Sequence, residues 1–139
     1  MITTPAVLLC ALFVALAAIH VYWAFGGGQG PGSAVPTRDG APVFIPGRAA
    51  TLLVAVALLA AAVVSVWRAG ALSIGPAWIP RVGIWVIAVA FAVRAVGDFH
   101  YCGFFKRVRD TAFARYDTLV YSPLCVVIAA LAVWLLASG

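Results

Sequence analysis

The sequence has very few charged residues. Of its 139 residues, nine are Lys or Arg and four are Asp or Glu, so 9% are charged, against about 25% in a typical soluble domain. Hydrophobic residues make up 65% of the chain. A water-soluble fold with so little polar surface would aggregate. The composition therefore excludes an ordinary soluble domain and indicates a membrane protein.

The apolar residues also lack the alternation with polar residues that is typical of membrane β-barrel strands. They form four long blocks, each close to the roughly 20 residues that cross a bilayer as a helix. Helices satisfy every backbone hydrogen bond within the lipid. We therefore predict an all-α fold, a single-domain four-helix transmembrane bundle. The blocks are Pro5–Phe25, Ala49–Trp67, Val82–Phe99 and Thr118–Ala137.

Missing motifs exclude several classes of site. Cys10, Cys102 and Cys125 form no CxxC pair, which excludes a metal knuckle and a thioredoxin-like motif. There is no HExxH, no GK[ST] phosphate loop and no nucleophile elbow. His20 and His100 are the residues that a haem between helices would use, but two scattered histidines are a weak signal. We predict no metal and no cofactor.

The net charge of +5 comes from scattered residues. They are too few to follow a nucleic-acid backbone, so we predict no nucleic-acid partner. Basic residues in a membrane protein set its topology and contact anionic headgroups, which makes membrane lipids the expected partners. Self-association or a membrane protein partner is a further expectation, because four short helices enclose little space.

The basic residues divide unequally between the two sides of a four-span protein. The second loop has Arg68 and Arg81, whereas the first and third loops together have six. The positive-inside rule then places the first and third loops in the cytoplasm and both termini outside a bacterial inner membrane. We expect the first span to be retained, because Met1–Ala6 has no basic residue of the kind that begins a signal peptide. The six are Arg38, Arg48, Lys106, Arg107, Arg109 and Arg115.

The first and third loops differ in composition. The first, Gly26–Arg48, is rich in Gly and Pro, so we predict an irregular structure. Its apolar stretch Val43–Ile45 is expected to lie against the membrane or the helix ends. The third loop, Tyr101–Tyr116, mixes aromatic and basic residues, including Phe104 to Arg109. It is predicted to be a short interfacial helix with its aromatic side among the headgroups.

Polar residues gather at the predicted cytoplasmic ends of three spans. They form a candidate ligand-binding cluster, and an ionisable group at membrane depth is a functional candidate. On this topology the outer halves of the helices hold almost nothing ionisable. The candidates are His20, Tyr22, Trp23, Arg94, Asp98, Tyr101, Lys106, Asp117 and Tyr121.

The partners within this cluster remain open at the level of sequence. Arg94 and Asp98 are four residues apart, on one face of a helix, and either pin the helix end or bind a ligand. Arg94 has Asp117 as its other possible partner. Asp117 is itself well placed as the N-cap of the fourth span. Pro123 should free the carbonyl of Leu119 and kink that helix.

Several motifs resemble a known family, the short bacterial membrane proteins grouped as domain-of-unknown-function family 3995. The resemblance covers nearly the whole chain and implies a four-helix membrane protein with no established activity. It favours a shared role for His20, Arg94, Asp98, Lys106 and Asp117, whereas His100 and Cys102 lie outside the pattern. The motifs are His20-x-Tyr22-Trp23-Ala24-x-Gly26-Gly27, Arg94-x-x-Gly97-Asp98, Gly103-Phe104-Phe105-Lys106 and Asp117-Thr118-x-x-Tyr121-Ser122-Pro123-Leu124.

Three functions are consistent with this sequence. The leading hypothesis is that the cluster binds a small polar or anionic solute or a lipid headgroup, and in a stronger form that it transports the ligand. The second is a membrane-embedded enzyme acting on a lipid-like substrate through His20 and the carboxylates. The third is an accessory membrane subunit without chemistry.

Overall fold

The structure, a computed structural model, describes residues 3–27 and 34–138. Within these ranges, four helical segments are long and apolar enough to cross a membrane, which confirms the predicted all-α four-span fold. The first three are α1 (Thr4–Ala24), α2 (Arg48–Arg68) and α3 (Trp78–Val96). The last is continuous, from α4 (Ala112–Tyr116) through a π-helical turn (Asp117–Tyr121) into α5 (Ser122–Ala137).

The helices pack as two pairs. The most extensive contacts join α1 to α2 and α3 to α5, and smaller contacts between α2 and α3 and between α1 and α5 close the bundle. On α1 the core residues Leu9, Phe13 and Ala17 recur every four residues and line one face. The Phe13 ring lies 5.7 Å from that of Phe91 on α3. The opposite faces leave large apolar side chains exposed, as a lipid environment requires.

The third span ends at Val96, three residues before its predicted end. Gly97 follows with a φ of 91°, and a Cβ at this position would overlap the carbonyl group of Cys102. Asp98 Oδ1 then accepts hydrogen bonds from three consecutive backbone N–H groups at 2.8–2.9 Å, those of His100, Tyr101 and Cys102. Asp98 therefore holds a turn together and does not extend the helix.

The last span begins six residues earlier than predicted. The Thr111 hydroxyl accepts a hydrogen bond from the backbone N–H of Ala114 and caps the helix. The prediction that Asp117 is the N-cap is therefore wrong, because Asp117 lies inside the continuous helix. Its carbonyl accepts from the N–H of Ser122, five residues on, in the π-helical turn just before Pro123. Proline has no N–H, and the turn accommodates the missing bond.

The two loops on the cluster side have little regular structure. In the third loop, helix is confined to its last residues, Ala112–Tyr116, whereas the prediction spread a helix over the loop. The first loop contains a small hairpin, Thr37–Arg38 (β1) paired with Ala41–Pro42 (β2). Its tip, Asp39 and Gly40, has positive φ angles of 52° and 82°, as tight hairpin turns require. Residues 28–33 of the predicted loop lie outside the described residues.

Candidate functional site

The centre of the site is Asp117, whose carboxylate is completely buried. Its Oδ1 accepts a hydrogen bond from Arg94 Nη2 at 2.8 Å. Its Oδ2 accepts from Lys106 Nζ at 2.9 Å, from the Gly103 N–H at 2.7 Å and from Ser122 Oγ at 3.3 Å. One carboxylate thus joins the end of α3, the third loop and the last span.

Lys106 is also buried, with 2% of its surface exposed. Its ammonium donates to Asp117 Oδ2, to the Gly103 carbonyl at 3.0 Å and to Thr118 Oγ1 at 2.6 Å. These three acceptors match the three donors of a lysine. Lys106, one of the predicted cluster residues, therefore lies in a buried network and not on an exposed basic surface. Both neighbours of Lys106, Phe105 and Arg107, are exposed.

Arg94 pairs with Asp117 and not with Asp98, which decides between the two partners left open by the sequence. Its side chain is 36% exposed, so one part of the guanidinium is buried and another is accessible. The Nη1 atom is buried and has no hydrogen-bond partner among the described residues. Buried polar atoms are normally hydrogen-bonded, so Nη1 has an unused hydrogen-bonding capacity that a bound ligand or water would satisfy.

The charges of this network do not balance. Arg94 and Lys106 contribute two positive charges, and Asp117 contributes one negative charge. The described ion-pair network therefore has a net charge of +1 at the edge of a membrane-spanning bundle. An unbalanced charge is costly to remove from water, so an anion next to Arg94 would be stabilising.

A cavity of about 960 Å³ adjoins Arg94. It lies between the end of α1, the start of α2, the first loop, the third loop and α4. Most of its wall is apolar, and the aromatic residues Trp23, Phe44 and Phe113 contribute to it. The polar side chains on the wall are His20, Thr51, Arg94 and Cys102.

His20 is half-buried on the cavity wall. Its Nδ1 lies 2.7 Å from the carbonyl oxygen of Leu16, one turn earlier on α1. The ring packs edge-on against Trp23, with ring centroids 5.2 Å apart. Two contacts within α1 therefore fix the orientation of the imidazole.

The other predicted candidates lie outside the cavity wall. Asp98 closes its turn; burial acts to raise its pKa, but the three N–H donors together hold the pKa below the ordinary value of 3.8. Tyr22 is exposed, and Tyr101 packs against His100. The Tyr121 ring lies 6.1 Å from that of Phe113. Asp98 thus shapes the site through the backbone.

Cys102 contributes a thiol to the cavity wall. Burial raises its pKa, an effect that the charge of Arg94 opposes and those of Asp98 and Asp117 reinforce. The thiol is therefore protonated at neutral pH and is a poor nucleophile. In the described ranges, no group of three His, Cys, Asp or Glu residues is arranged to hold a metal ion.

Some contributors to the site were not identified from the sequence. Thr118 accepts a hydrogen bond from Lys106, and a polar residue in an apolar span was the available signal. Ser122, which the sequence places beside Asp117 at the start of the same span, donates to Asp117. The apolar stretch Val43–Ile45 was expected to contact the membrane or the helix ends. Phe44 and Ile45 in fact contribute to the cavity wall. No feature of the sequence identified Thr51 as a residue of the cavity wall.

Comparisons with known proteins give one match. Neither the search of curated proteins nor that of solved structures found a similar protein. A family model described as "Protein of unknown function (DUF3995)" matches residues 13–132. This range includes every residue of the ion-pair network and of the cavity wall. Since the match extends over most of its length, the chain belongs to the DUF3995 family.

Proposed function

We propose that this membrane protein binds an anionic group beside Arg94 in the cavity. The chemistry required is a phosphate or carboxylate oxygen, supplied either by a small solute or by a lipid headgroup. The buried Nη1 of Arg94, which has no partner among the described residues, is the observation that carries this proposal. Guanidinium groups are the usual choice for binding such oxyanions.

The ion pairs support the proposal because they fix Arg94 in advance. Asp117 holds Nη2, and Asp117 is in turn fixed by Lys106 and the Gly103 N–H. A donor that is already oriented loses less entropy on binding. The neighbouring charge of Lys106 leaves the network at +1, which favours an anionic ligand over a neutral one.

The enzyme hypothesis gains less support. It predicts an apolar cavity beside His20, and such a cavity is present. It also requires a carboxylate to act with His20. Asp117 is engaged by Arg94 and Lys106, Asp98 is engaged by the turn, and neither contributes to the described cavity wall. Binding, with or without transport, is therefore the function that we propose.

A binding experiment tests the proposal. Protein in a neutral detergent would be titrated with phosphatidylglycerol, phosphatidylcholine or inorganic phosphate, and bound ligand read by native mass spectrometry. We expect an anionic probe to bind, and Arg94→Gln to weaken that binding about tenfold to a hundredfold, because a charge-assisted hydrogen bond is lost. Arg107→Gln removes the same charge from an exposed site and should leave affinity within twofold.

The two sources of the anion give different results. Retention of phosphatidylglycerol that is insensitive to added phosphate indicates a lipid headgroup, whereas retention of phosphate itself indicates a solute. Val54→Trp provides a second variant, because Val54 contributes to the cavity wall without contacting the ion pairs, and it should weaken binding by filling the cavity. Equal binding by wild type, Arg94→Gln and Val54→Trp would refute the proposal.

A further inference from the structure

We propose that the ligand has a hydroxyl group in addition to its anionic oxygen, and that His20 selects for this hydroxyl. This inference rests on the proposed function and names the ligand class more narrowly. A glycerol-like phosphodiester headgroup and a hydroxy acid both belong to the class. The argument depends on the hydrogen bond of His20 and on its position in the same cavity as Arg94.

The bond to Leu16 determines the tautomer of the neutral imidazole. A carbonyl oxygen can only accept a hydrogen bond, so His20 Nδ1, 2.7 Å away, must be the N–H donor. In the neutral ring Nε2 is then left with a lone pair. It lies across the ring from Nδ1, away from the backbone that Nδ1 contacts, and is the nitrogen available to a ligand.

Arg94 and His20 therefore require different hydrogen-bonding groups on a ligand. Arg94 Nη1 is a donor without a described partner and needs an acceptor. His20 Nε2 is an acceptor and needs a donor. A bare carboxylate or phosphodiester offers acceptors only, so it would satisfy Arg94 and leave Nε2 without a partner. A ligand that has both a hydroxyl and an anionic oxygen satisfies both side chains.

The size and wall of the cavity limit the rest of the ligand. Its volume of about 960 Å³ is near the upper end of ordinary ligand pockets, roughly 300–1,000 Å³. Apart from the four polar side chains already named, the wall residues are apolar or glycine. The wall is thus mostly apolar with a few polar side chains. An amphiphile with a polyol phosphate at one end matches such a wall better than a small hydrophilic solute does.

A pair of lipids that differ in the hydroxyls tests the inference. Phosphatidylglycerol and phosphatidylmethanol are both anionic phosphodiesters, but only the first has headgroup hydroxyls. Affinities would be measured by native mass spectrometry. We expect wild-type protein to prefer phosphatidylglycerol about threefold to tenfold, which corresponds to one hydrogen bond.

His20→Phe should abolish this preference, because it keeps an aromatic ring beside Trp23 and removes Nε2. Tyr22→Phe is the matched control: it deletes a polar atom two residues from His20, outside the cavity wall, and should keep the preference. Soluble glycerol 3-phosphate and methyl phosphate repeat the comparison for a free solute. A preference for the hydroxylated member of either pair supports the inference.

The outcomes separate the inference from the proposed function. If wild type binds both anionic lipids equally and Arg94→Gln binds neither, the inference is overturned and the proposed function stands. If His20→Phe keeps the preference, the inference is likewise overturned. If neither lipid nor either soluble phosphate requires Arg94, both fail. Should His20→Phe not fold, equal affinity of wild type for the two lipids still overturns the inference, and His20→Gln then replaces His20→Phe as the test of the residue.

Discussion

Single residues at this site act through shared partners. Asp117 gives one oxygen to Arg94 and the other to Lys106, so each cation compensates part of the same buried carboxylate. The loss of either cation leaves Asp117 paired with the other one but removes hydrogen bonds from buried polar atoms. Such losses are among the most destabilising that single substitutions cause.

Lys106→Met tests this dependence. It leaves Asp117 paired with Arg94 but removes the ammonium from Thr118 Oγ1 and the Gly103 carbonyl, so we expect the free energy of unfolding to fall by about 1–3 kcal/mol. Arg107→Met, one residue away and exposed, should cost less than about 0.5 kcal/mol. Denaturation in detergent, followed by circular dichroism, measures both. Similar midpoints for the two variants would contradict the buried network.

At the scale of elements, the end of α3 controls the position of the third loop. Gly97 and Gly103, both with positive φ, bring the loop back against the helix end, and the Phe104 N–H donates to the Ala95 carbonyl at 2.9 Å. This return brings Lys106 to Asp117. The sequence indicated a basic-aromatic loop but could not reveal the return, because it depends on backbone angles and on contacts between segments.

Gly97→Ala should therefore destabilise the protein more than Gly40→Ala. Both glycines have positive φ, so both variants incur a backbone strain of roughly 1–2 kcal/mol. Only the new Cβ at position 97 overlaps the Cys102 carbonyl, whereas position 40 is open. Thermal unfolding of the two purified variants gives the comparison. Equal losses would show that close approach at Gly97 contributes nothing.

At the scale of the whole molecule, local composition was sufficient to predict the four spans. Apolar runs of this length leave few alternatives, and the structure agrees with them to within a few residues except at the start of the third and last spans. The pairing of Arg94 was not predictable, because Asp98 lies one helical turn away and Asp117 begins the predicted fourth span on the same side of the membrane. Helix packing and the turn that uses Asp98 decide between them.

The orientation in the membrane is a prediction that rests on how the basic residues are distributed between the loops. We propose that the cavity side is cytoplasmic and that both termini are outside. A protease-sensitive tag after Gly139 should then be cleaved in intact spheroplasts. The same tag inserted at the exposed Asp39–Gly40 turn should be cleaved only after the membrane is opened. The reverse pattern would place the cavity on the outer side.

The cavity also lies along the seam between the two helix pairs. Its wall takes His20 and Thr51 from the α1–α2 pair and Arg94 from the end of α3, and direct contacts between the pairs are less extensive than those within them. A bound amphiphile would contact both helix pairs and hold them together. The stability of the folded bundle would then increase with the concentration of its ligand. Removal of bound lipid by a harsh detergent would then weaken the contact between the two helix pairs before either pair unfolded.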